Sequence, residues 1–246
     1  MLRGDVDLVQ SAPSQAFASA EKGKMPPAVH FAQINNTDGF FIAGRKADSS
    51  FTLQDLKGKR VIVDHGGQPL HMFNYACHKA GLKLSDFDAI DAGSADDMVA
   101  AFKGGEGDYV HLQGPAPQQL EIEGGGVVVG RVGDWVGPCA FSSLASRSDW
   151  LETDDAVAFV RAFRAARQWV NQTPALHVAN SEISYFPGIS VEALTEAIVA
   201  YQALGCWSGQ VEIVPDEIAA SVEVFRFGGA VTGDIDPLFV AVRPPG

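Results

Sequence analysis

A glycine pair stands where a predicted strand ends and a helix begins. Residues 60–64 form an apolar run typical of a buried strand, and Gly66-Gly67-Gln68-Pro69 follows it. In open α/β sheets, ligands bind beyond the carboxyl ends of the strands, where backbone N–H groups of the next helix can hold an anion or a carbonyl. A tight turn that requires a positive φ at glycine explains the pair equally well, so both interpretations stay open.

Three histidines near this turn raise the question of a metal site. His71 and His78 are seven positions apart on the predicted helix, and His65 stands just before it. Zinc sites usually use closer spacing and a further ligand, so the pattern favours solvated histidines. We therefore predict no metal ligand, and nothing in the sequence calls for a cofactor.

The cysteines give no reason to expect covalent catalysis. Cys77, Cys139 and Cys206 are far apart, which excludes a Cys-x-x-Cys site and a disulfide framework. The chain lacks a Gly-x-Ser-x-Gly elbow, and no base stands near Cys139 in the sequence. We predict no catalytic residue and interpret Cys139 as a small buried apolar side chain.

Trp135 lies in a glycine-rich bend, residues 133–138, GDWVGP. A large ring at a loop can stack on a flat ligand. The ring can equally cover part of the core, and the sequence does not decide between these two roles.

The elements that must position these residues alternate between strand and helix, as in α/β proteins. Strands are expected at residues 7–10, 29–34, 40–43, 60–64, 87–90, 109–112, 127–129 and 141–145. Helices between strands predict a mainly parallel sheet. Ser94 and Thr153 are expected helix N-caps. We predict one lobe at 52–131 and a second lobe built from 1–46 and 132–246.

Composition excludes several function classes. The chain has 246 residues, of which 46% are hydrophobic, and its net charge is -12. An acidic surface does not attract phosphate backbones or anionic lipid, so we expect no nucleic acid and no membrane surface as partner.

The order of several motifs resembles the type 2 periplasmic binding proteins of the nitrate, sulfonate, taurine and thiamine-precursor group, which includes thiamine-biosynthesis-like proteins. Residues 4–9, GDVDLV, are similar to a strand of the first lobe in that group. Residues 53–63, LQDLKGKRVIV, are similar to the start of the second lobe and are the most specific match. Residues 100–110, AAFKGGEGDYV, and the late segments 168–171 and 201–207 also resemble the family.

The resemblance implies a two-lobed α/β fold with a small molecule bound in the cleft between the lobes. It also implies an ABC permease and ATPase as partners, and a periplasmic location, although residues 1–5 lack the apolar stretch of a signal peptide. In the family, loops at strand ends contact the ligand. Carried over, these are Ser11, Pro13, Ser14, Asn35, Asn36, Gly67, Gln68, Gln113, Gly114, Trp135 and Cys139.

The ligand is expected to be neutral or weakly charged, a small organic compound or a flat heteroaromatic one. The loops 11–14, 66–69 and 113–115 contain no Arg or Lys, which a dianion would usually recruit. The alternative is an enzyme on the same fold, pyrimidine synthase-like or desulfinase-like. Residues 137–142, GPCAFS, hold one cysteine where such synthases carry a cysteine-rich stretch, so we expect no enzyme.

Family members begin with strands and helices that precede the segment matching residues 4–9. We therefore expect that lobe 1 is incomplete and that Met1 is a truncation or a mis-assigned start. An incomplete lobe would leave an open strand edge at 7–10, and open edges pair with other chains. Self-association through this edge is the corresponding expectation.

Overall fold

The computed structural model describes residues 1 and 3–246, which form two compact units. The first unit consists of Met1–Asp38, Pro138–Gln172 and Gly205–Gly246. The second consists of Gly39–Gly137 and Thr173–Leu204.

The first unit combines a small sheet with helices. Its strands are β1 (Leu8–Ser11), β2 (Val29–Asn35) and β8 (Ser142–Ser146). Its α-helices are α1 (Phe17–Ala20), α6 (Ser148–Leu151), α7 (Asp154–Gln172) and α10 (Pro215–Phe227). Short 3-10 helices lie at Pro13–Ala16 and Pro237–Phe239.

The sheet of the first unit is antiparallel, with β8 between β1 and β2. Its core is apolar: Phe31, Ala32, Leu144 and Val160 are buried together, so β2, β8 and α7 share one hydrophobic cluster. On the far side of β2, the N–H of Val242 donates to the carbonyl of His30 at 2.8 Å. β2 is thus covered by the C-terminal segment, whereas β1 pairs with β8 alone in the order of the sheet.

The second unit is a larger α/β unit. Its strands are β3 (Phe40–Gly44), β4 (Arg60–Val63), β5 (Asp88–Asp91), β6 (Tyr109–Gln113) and β7 (Val127–Arg131). Its α-helices are α2 (Gly67–Lys79), α3 (Ala95–Lys103), α4 (Ala116–Ile122), α5 (Val132–Val136), α8 (Ala175–Glu182) and α9 (Val191–Leu204). Short 3-10 helices lie at Leu53–Leu56, Leu84–Asp86 and Ile183–Tyr185.

The sheet of the second unit is mixed, in the order β5-β4-β6-β3-β7. β4 pairs in parallel with β5 and β6, as the helical crossovers predict. β3 instead lies antiparallel to both β6 and β7. The expectation of mainly parallel sheets was therefore wrong, because β3 enters the sheet without a helical crossover and the other sheet is antiparallel.

The unit boundaries also differ from the expected lobes. β3 was assigned to the lobe containing β1, but it occupies an internal position beside β6. Helices α8 and α9 belong to the second unit as well, where α9 packs against α4 and α8. The apolar pattern of a helix does not reveal which sheet the helix covers, so this assignment was not available from the sequence.

Two helices begin at the N-cap residues that the sequence predicts. The backbone N–H of Asp97 donates to Ser94 Oγ at 3.3 Å, and the N–H of Ser94 donates to the Asp97 carboxylate at 3.1 Å. This reciprocal capping box satisfies donors at the start of α3. Thr153 caps α7, since its Oγ1 accepts from the N–H of Ala156 at 3.2 Å. Both predicted N-caps are confirmed. After β1 the chain forms a 3-10 turn that leads directly into the short helix α1.

Candidate functional site

In the second unit, two predicted loops meet at one edge of the sheet. Gly67 and Gln68 begin α2 just after β4, and Gln113 and Gly114 end β6. Because β4 and β6 are parallel neighbours, their carboxyl ends lie at the same edge. The structure therefore brings these four residues to the kind of sheet edge where α/β proteins bind ligands.

Gly67 has the conformation that the turn interpretation required. Its φ is +64°, a left-handed value that favours glycine. A Cβ there would meet Pro69 only at 3.9 Å, so backbone conformation rather than space selects glycine. The side chain of Asp64 accepts a hydrogen bond from the N–H of Gly66 at 3.2 Å, which closes the turn before α2.

At position 114, the neighbouring side chains leave no room for a Cβ, which accounts for the glycine. A Cβ on it would lie 2.8 Å from the hydroxyl of Tyr201 and 3.1 Å from the ring of Phe41. The Tyr201 hydroxyl lies 3.0 Å from the carbonyl oxygen of Gly39 and 3.3 Å from that of Gly114, and it can donate to either. A tyrosine of α9 thus links the start of β3 to the end of β6.

A buried histidine beside this edge was not among the predicted site residues. His111 has no exposed surface, and its ring lies between Phe40 at 4.7 Å and Phe73 at 4.8 Å, measured between ring centroids. Neither ring nitrogen has a hydrogen-bond partner among the described residues. Burial lowers the pKa of His111 to about 3, so the imidazole is neutral at pH 7. The only sequence signal is its position two residues before Gln113 on the same face of β6.

Trp135 has a structural role. It lies in α5, and its ring packs 6.2 Å from that of Phe51 between centroids. The ring also covers Gly130, where a Cβ would collide with it. The indole thus fills the space left by the absence of a side chain at Gly130, on the sheet of its own unit, and its stacking on a ligand stays a prediction.

In the first unit, two predicted residues lie at the ends of β1 and β2, the two strands that flank β8. Ser11 pairs with Ser143, and Asn35 pairs with Ser142. Both partners start β8, so Ser11 and Asn35 lie at the same end of the small sheet. The Trp207 indole donates to Asn35 Oδ1 at 3.0 Å, which fixes this side chain.

The remaining predicted residues of the first unit adjoin the same strands. The N–H of Cys139 donates to the carbonyl of Asn36 at 2.9 Å, so this cysteine sits beside the end of β2. Pro13 and Ser14 open the 3-10 helix after β1, with Pro13 buried and Ser14 partly exposed. Because Pro13 and Cys139 are buried, their side chains pack beneath these loops.

The thiols are poorly suited to nucleophilic chemistry. Cys77, Cys139 and Cys206 are all buried, and each carries a thiol rather than a disulfide. Burial raises the pKa of Cys77 to about 12 and raises that of Cys139 as well, so both remain thiols at neutral pH. The thiolate is the reactive form of cysteine, and here it is disfavoured.

A buried arginine supports the end of β2 in the first unit. Arg167 of α7 is 6% exposed, and its guanidinium donates to the carbonyls of Gln33 and Ile34 and, at 2.8 Å, to that of Ser208. These carbonyls lie next to Asn35 in the chain or in space. No sequence pattern distinguishes Arg167, because it is one of several arginines along a helix.

Among residue 1 and residues 3–246, no group of three or more His, Cys, Asp or Glu side chains is arranged to hold a metal ion. None of the helices in this part of the chain is both long and apolar enough to span a bilayer.

Among known proteins, one similar sequence carries a name. The Bacillus subtilis (strain 168) protein called "Putative binding protein YtlA" is 28% identical over 202 residues, which is 80% of this chain. The chain spans 60% of the length of that relative.

Solved structures show the fold. The aliphatic sulphonate binding protein SsuA of Escherichia coli matches 98% of this chain and 77% of its own, with a TM-score of 0.74 at 18% identity. The alkanesulfonate-binding SsuA of Xanthomonas axonopodis pv. citri, solved with MOPS, matches 98% of this chain and 82% of its own, with a TM-score of 0.65 at 17% identity. The chain therefore has the fold of periplasmic binding proteins, as the resemblance implied.

The family is given by the sequence itself. The family described as NMT1/THI5 like matches residues 1–176, well over half of the chain. The match includes the most specific motif at 53–63 and the loops of both units at the strand ends. The chain belongs to the NMT1/THI5 like family.

Proposed function

We propose that this chain binds a small molecule and delivers it to an ABC importer as a solute-binding component. The observation that carries the proposal is the placement of polar, uncharged loops at one edge of each sheet. These loops contain Ser11, Ser14, Asn35 and Asn36 in one unit and Gly67, Gln68, Gln113 and Gly114 in the other. The names of the relatives, which are binding proteins, support it.

Binding rather than catalysis fits the chemistry of the described residues. The thiols are buried, and His111 has no exposed surface through which it could take a proton from a substrate. General-base catalysis requires hydrogen-bond reach to the reacting group. We therefore infer reversible binding, because neither the buried thiols nor His111 supports the enzyme alternative.

The ligand class follows from the donors at these loops. Amides and backbone groups hold neutral or weakly charged groups through hydrogen bonds, whereas dianions usually recruit arginine. We propose a small neutral or weakly charged organic ligand, with heteroaromatic compounds included. Sulfonates are the ligands named for the SsuA proteins, and they serve as the contrasting class.

A thermal-shift screen of neutral heteroaromatics, amino acids and alkanesulfonates tests this directly, followed by calorimetry on hits. Gln113→Ala and Gln68→Ala should each weaken binding about tenfold, the cost of one good hydrogen bond. Gln54→Ala is the matched control, since Gln54 is exposed and lies before β4, at the amino end of that strand. Chemical conversion of the bound compound, or equal loss in all three variants, would overturn the binding role of these loops.

We further propose a periplasmic location and an ABC permease and ATPase as partners. The fold of periplasmic binding proteins supports both. In vesicles containing the cognate permease and ATPase, the ligand-loaded chain should stimulate ATP hydrolysis more than the unloaded chain. Equal hydrolysis with and without the chain would count against this partnership, and recovery of the protein only from the cytoplasmic fraction would count against the location.

Self-association through β1 is also proposed. β1 is at the edge of its sheet, and its residues Leu8, Val9 and Ser11 are partly exposed. An exposed edge offers backbone N–H and C=O groups to another strand, and a lysine placed there opposes pairing. Val9→Lys should reduce the dimer fraction in analytical ultracentrifugation. Val6→Lys, outside the strand, should leave that fraction unchanged; a monomeric wild-type chain at high concentration would refute the proposal.

A further inference from the structure

A polar groove of about 340 Å³ lies on the first unit. It is formed by the C-terminal half of α7 and the segment that follows Ser208. Its lining comprises Arg164, Arg167, Gln168, Asn171, Gln172, Gly209, Gln210 and Val211. A volume of this size is within the range of small-molecule sites, about 300–1,000 Å³.

The two arginines give the groove a positive charge that its neighbours only partly balance. Arg164 donates to Glu212 Oε1 at 2.9 Å and to the carbonyl of Gly246 at 2.6 Å. Arg167 donates to backbone carbonyls, and among the described residues it forms no ion pair with a carboxylate. Its Nε is buried without a hydrogen-bond partner. The two arginines therefore face the paired carboxylate of Glu212 and the carboxylate of Glu217, which interacts electrostatically with Arg167 without forming an ion pair among the described residues.

Helix geometry brings the charges and amides together. Arg164 and Arg167 are three residues apart on α7, which places them on one face, and Gln168 and Asn171 continue that face by one turn. Arg164 has about a third of its side chain exposed, and Gln168 and Gln172 are exposed. A ligand in the groove thus meets a guanidinium first and amide groups around it.

We propose that this groove binds a small hydroxylated carboxylate. The planar fork of an arginine matches a carboxylate, and amide side chains both donate to and accept from hydroxyl groups. The buried charge of Arg167 adds attraction that solvent screens little. The site lies wholly within the first unit and is lined by none of the residues assigned to the transported ligand, so the proposal goes beyond the proposed function.

Gluconate and hexanoate are suitable probes, because they share the carboxylate and chain length and differ in hydroxyl groups. Gluconate should bind, as measured by calorimetry, and should shift the Nε–Hε signals of Arg164 and Arg167 in an NMR titration. Hexanoate should bind at least about tenfold more weakly. No shift of either arginine signal by gluconate at about 10 mM would overturn the proposal.

A charge variant locates the site. Gln168→Glu places a carboxylate one turn from Arg164 and should weaken gluconate binding about tenfold or more. Ala162→Glu adds the same charge to an exposed position on the opposite face of α7 and should change the affinity by less than about twofold. Equal effects of the two variants would overturn the site, since binding would then respond to net charge alone.

Discussion

At the scale of single residues, His111 shows how burial fixes a protonation state. The imidazole lies between two phenyl rings, which solvate a positive charge poorly, and neither of its nitrogens has a hydrogen-bond partner in the described part of the chain. The pKa of His111 in the folded protein, about 3, is therefore well below the ordinary histidine value of about 6.5. Between these pH values the unfolded chain binds a proton that the folded chain does not.

This difference predicts acid sensitivity with a definite sign. The free energy of unfolding contributed by His111 is constant above pH ~6.5 and falls by up to ~1.4 kcal/mol per pH unit as the pH drops towards 3. His111→Phe removes the titrating group and should flatten this dependence, as followed by urea unfolding at pH 7 and pH 4.5. His65→Gln, at an exposed position, is the control. A slope unchanged by His111→Phe would contradict the assignment.

Gly114 gives a prediction about space. Gly114→Ala should lower the free energy of unfolding by about 1–3 kcal/mol, because the added methyl meets the Tyr201 hydroxyl and the Phe41 ring. Gly66→Ala meets nothing within 4 Å and has an extended φ of 164°, so it should be nearly neutral.

A double-mutant cycle sharpens the test. Tyr201→Phe removes the hydroxyl, so Gly114→Ala should cost less in that background than in the wild type. Additive costs would show that the hydroxyl is not what excludes a side chain at Gly114.

At the scale of elements, helix caps were predictable and sheet pairing was not. Ser94 and Thr153 stand out because a small polar side chain before an acidic first turn has a local meaning. The placement of β3 beside β6 and β7 depends on contacts with residues far along the chain. Alternating helices and strands indicated parallel pairing, and this holds for β4 with β5 and β6 only.

The cap of α3 gives the corresponding prediction. Ser94→Ala removes the Oγ that accepts from the N–H of Asp97 and should lower the free energy of unfolding by about 1 kcal/mol. Ser85→Ala, at an exposed position in a 3-10 helix, should change it by less than about 0.5 kcal/mol. Chemical denaturation of both variants provides the comparison, and equal stability of the two would refute the capping role.

The candidate site shows a similar division. The loops after β4 and β6 were predictable because a strand followed by Gly-Gly or by Gly-Pro marks a carboxyl end of the sheet. The packing of Trp135 could not be predicted, since it depends on Phe51 and Gly130, which are not adjacent to it in sequence. The roles of Arg167 and His111 could not be predicted, because neither residue belongs to a motif and only tertiary burial distinguishes them.

At the scale of the whole molecule, charge governs solution behaviour. The net charge of -12 opposes association at neutral pH and disappears near the isoelectric point of about 4.8. Near that pH the buried histidines His30 and His111, with pKa values lowered to about 4 and about 3, also favour unfolding. We expect a solubility minimum close to pH 4.8, measured by light scattering across a pH series. Unchanged scattering between pH 7 and pH 4.8 would contradict this expectation.

The chain order of the two units has a consequence for biosynthesis. The second unit is complete only when residues 173–204 have been made, after the intervening stretch of the first unit. The Tyr201 hydroxyl, which donates to the carbonyl of Gly39, lies 162 positions later in the chain. The surface of α4 that packs against α9 therefore stays uncovered until α9 has left the ribosome. At about 5–20 residues per second, that interval lasts seconds, long enough for a holdase chaperone to bind. During this interval the surface of α4 that α9 later covers stays accessible to other chains.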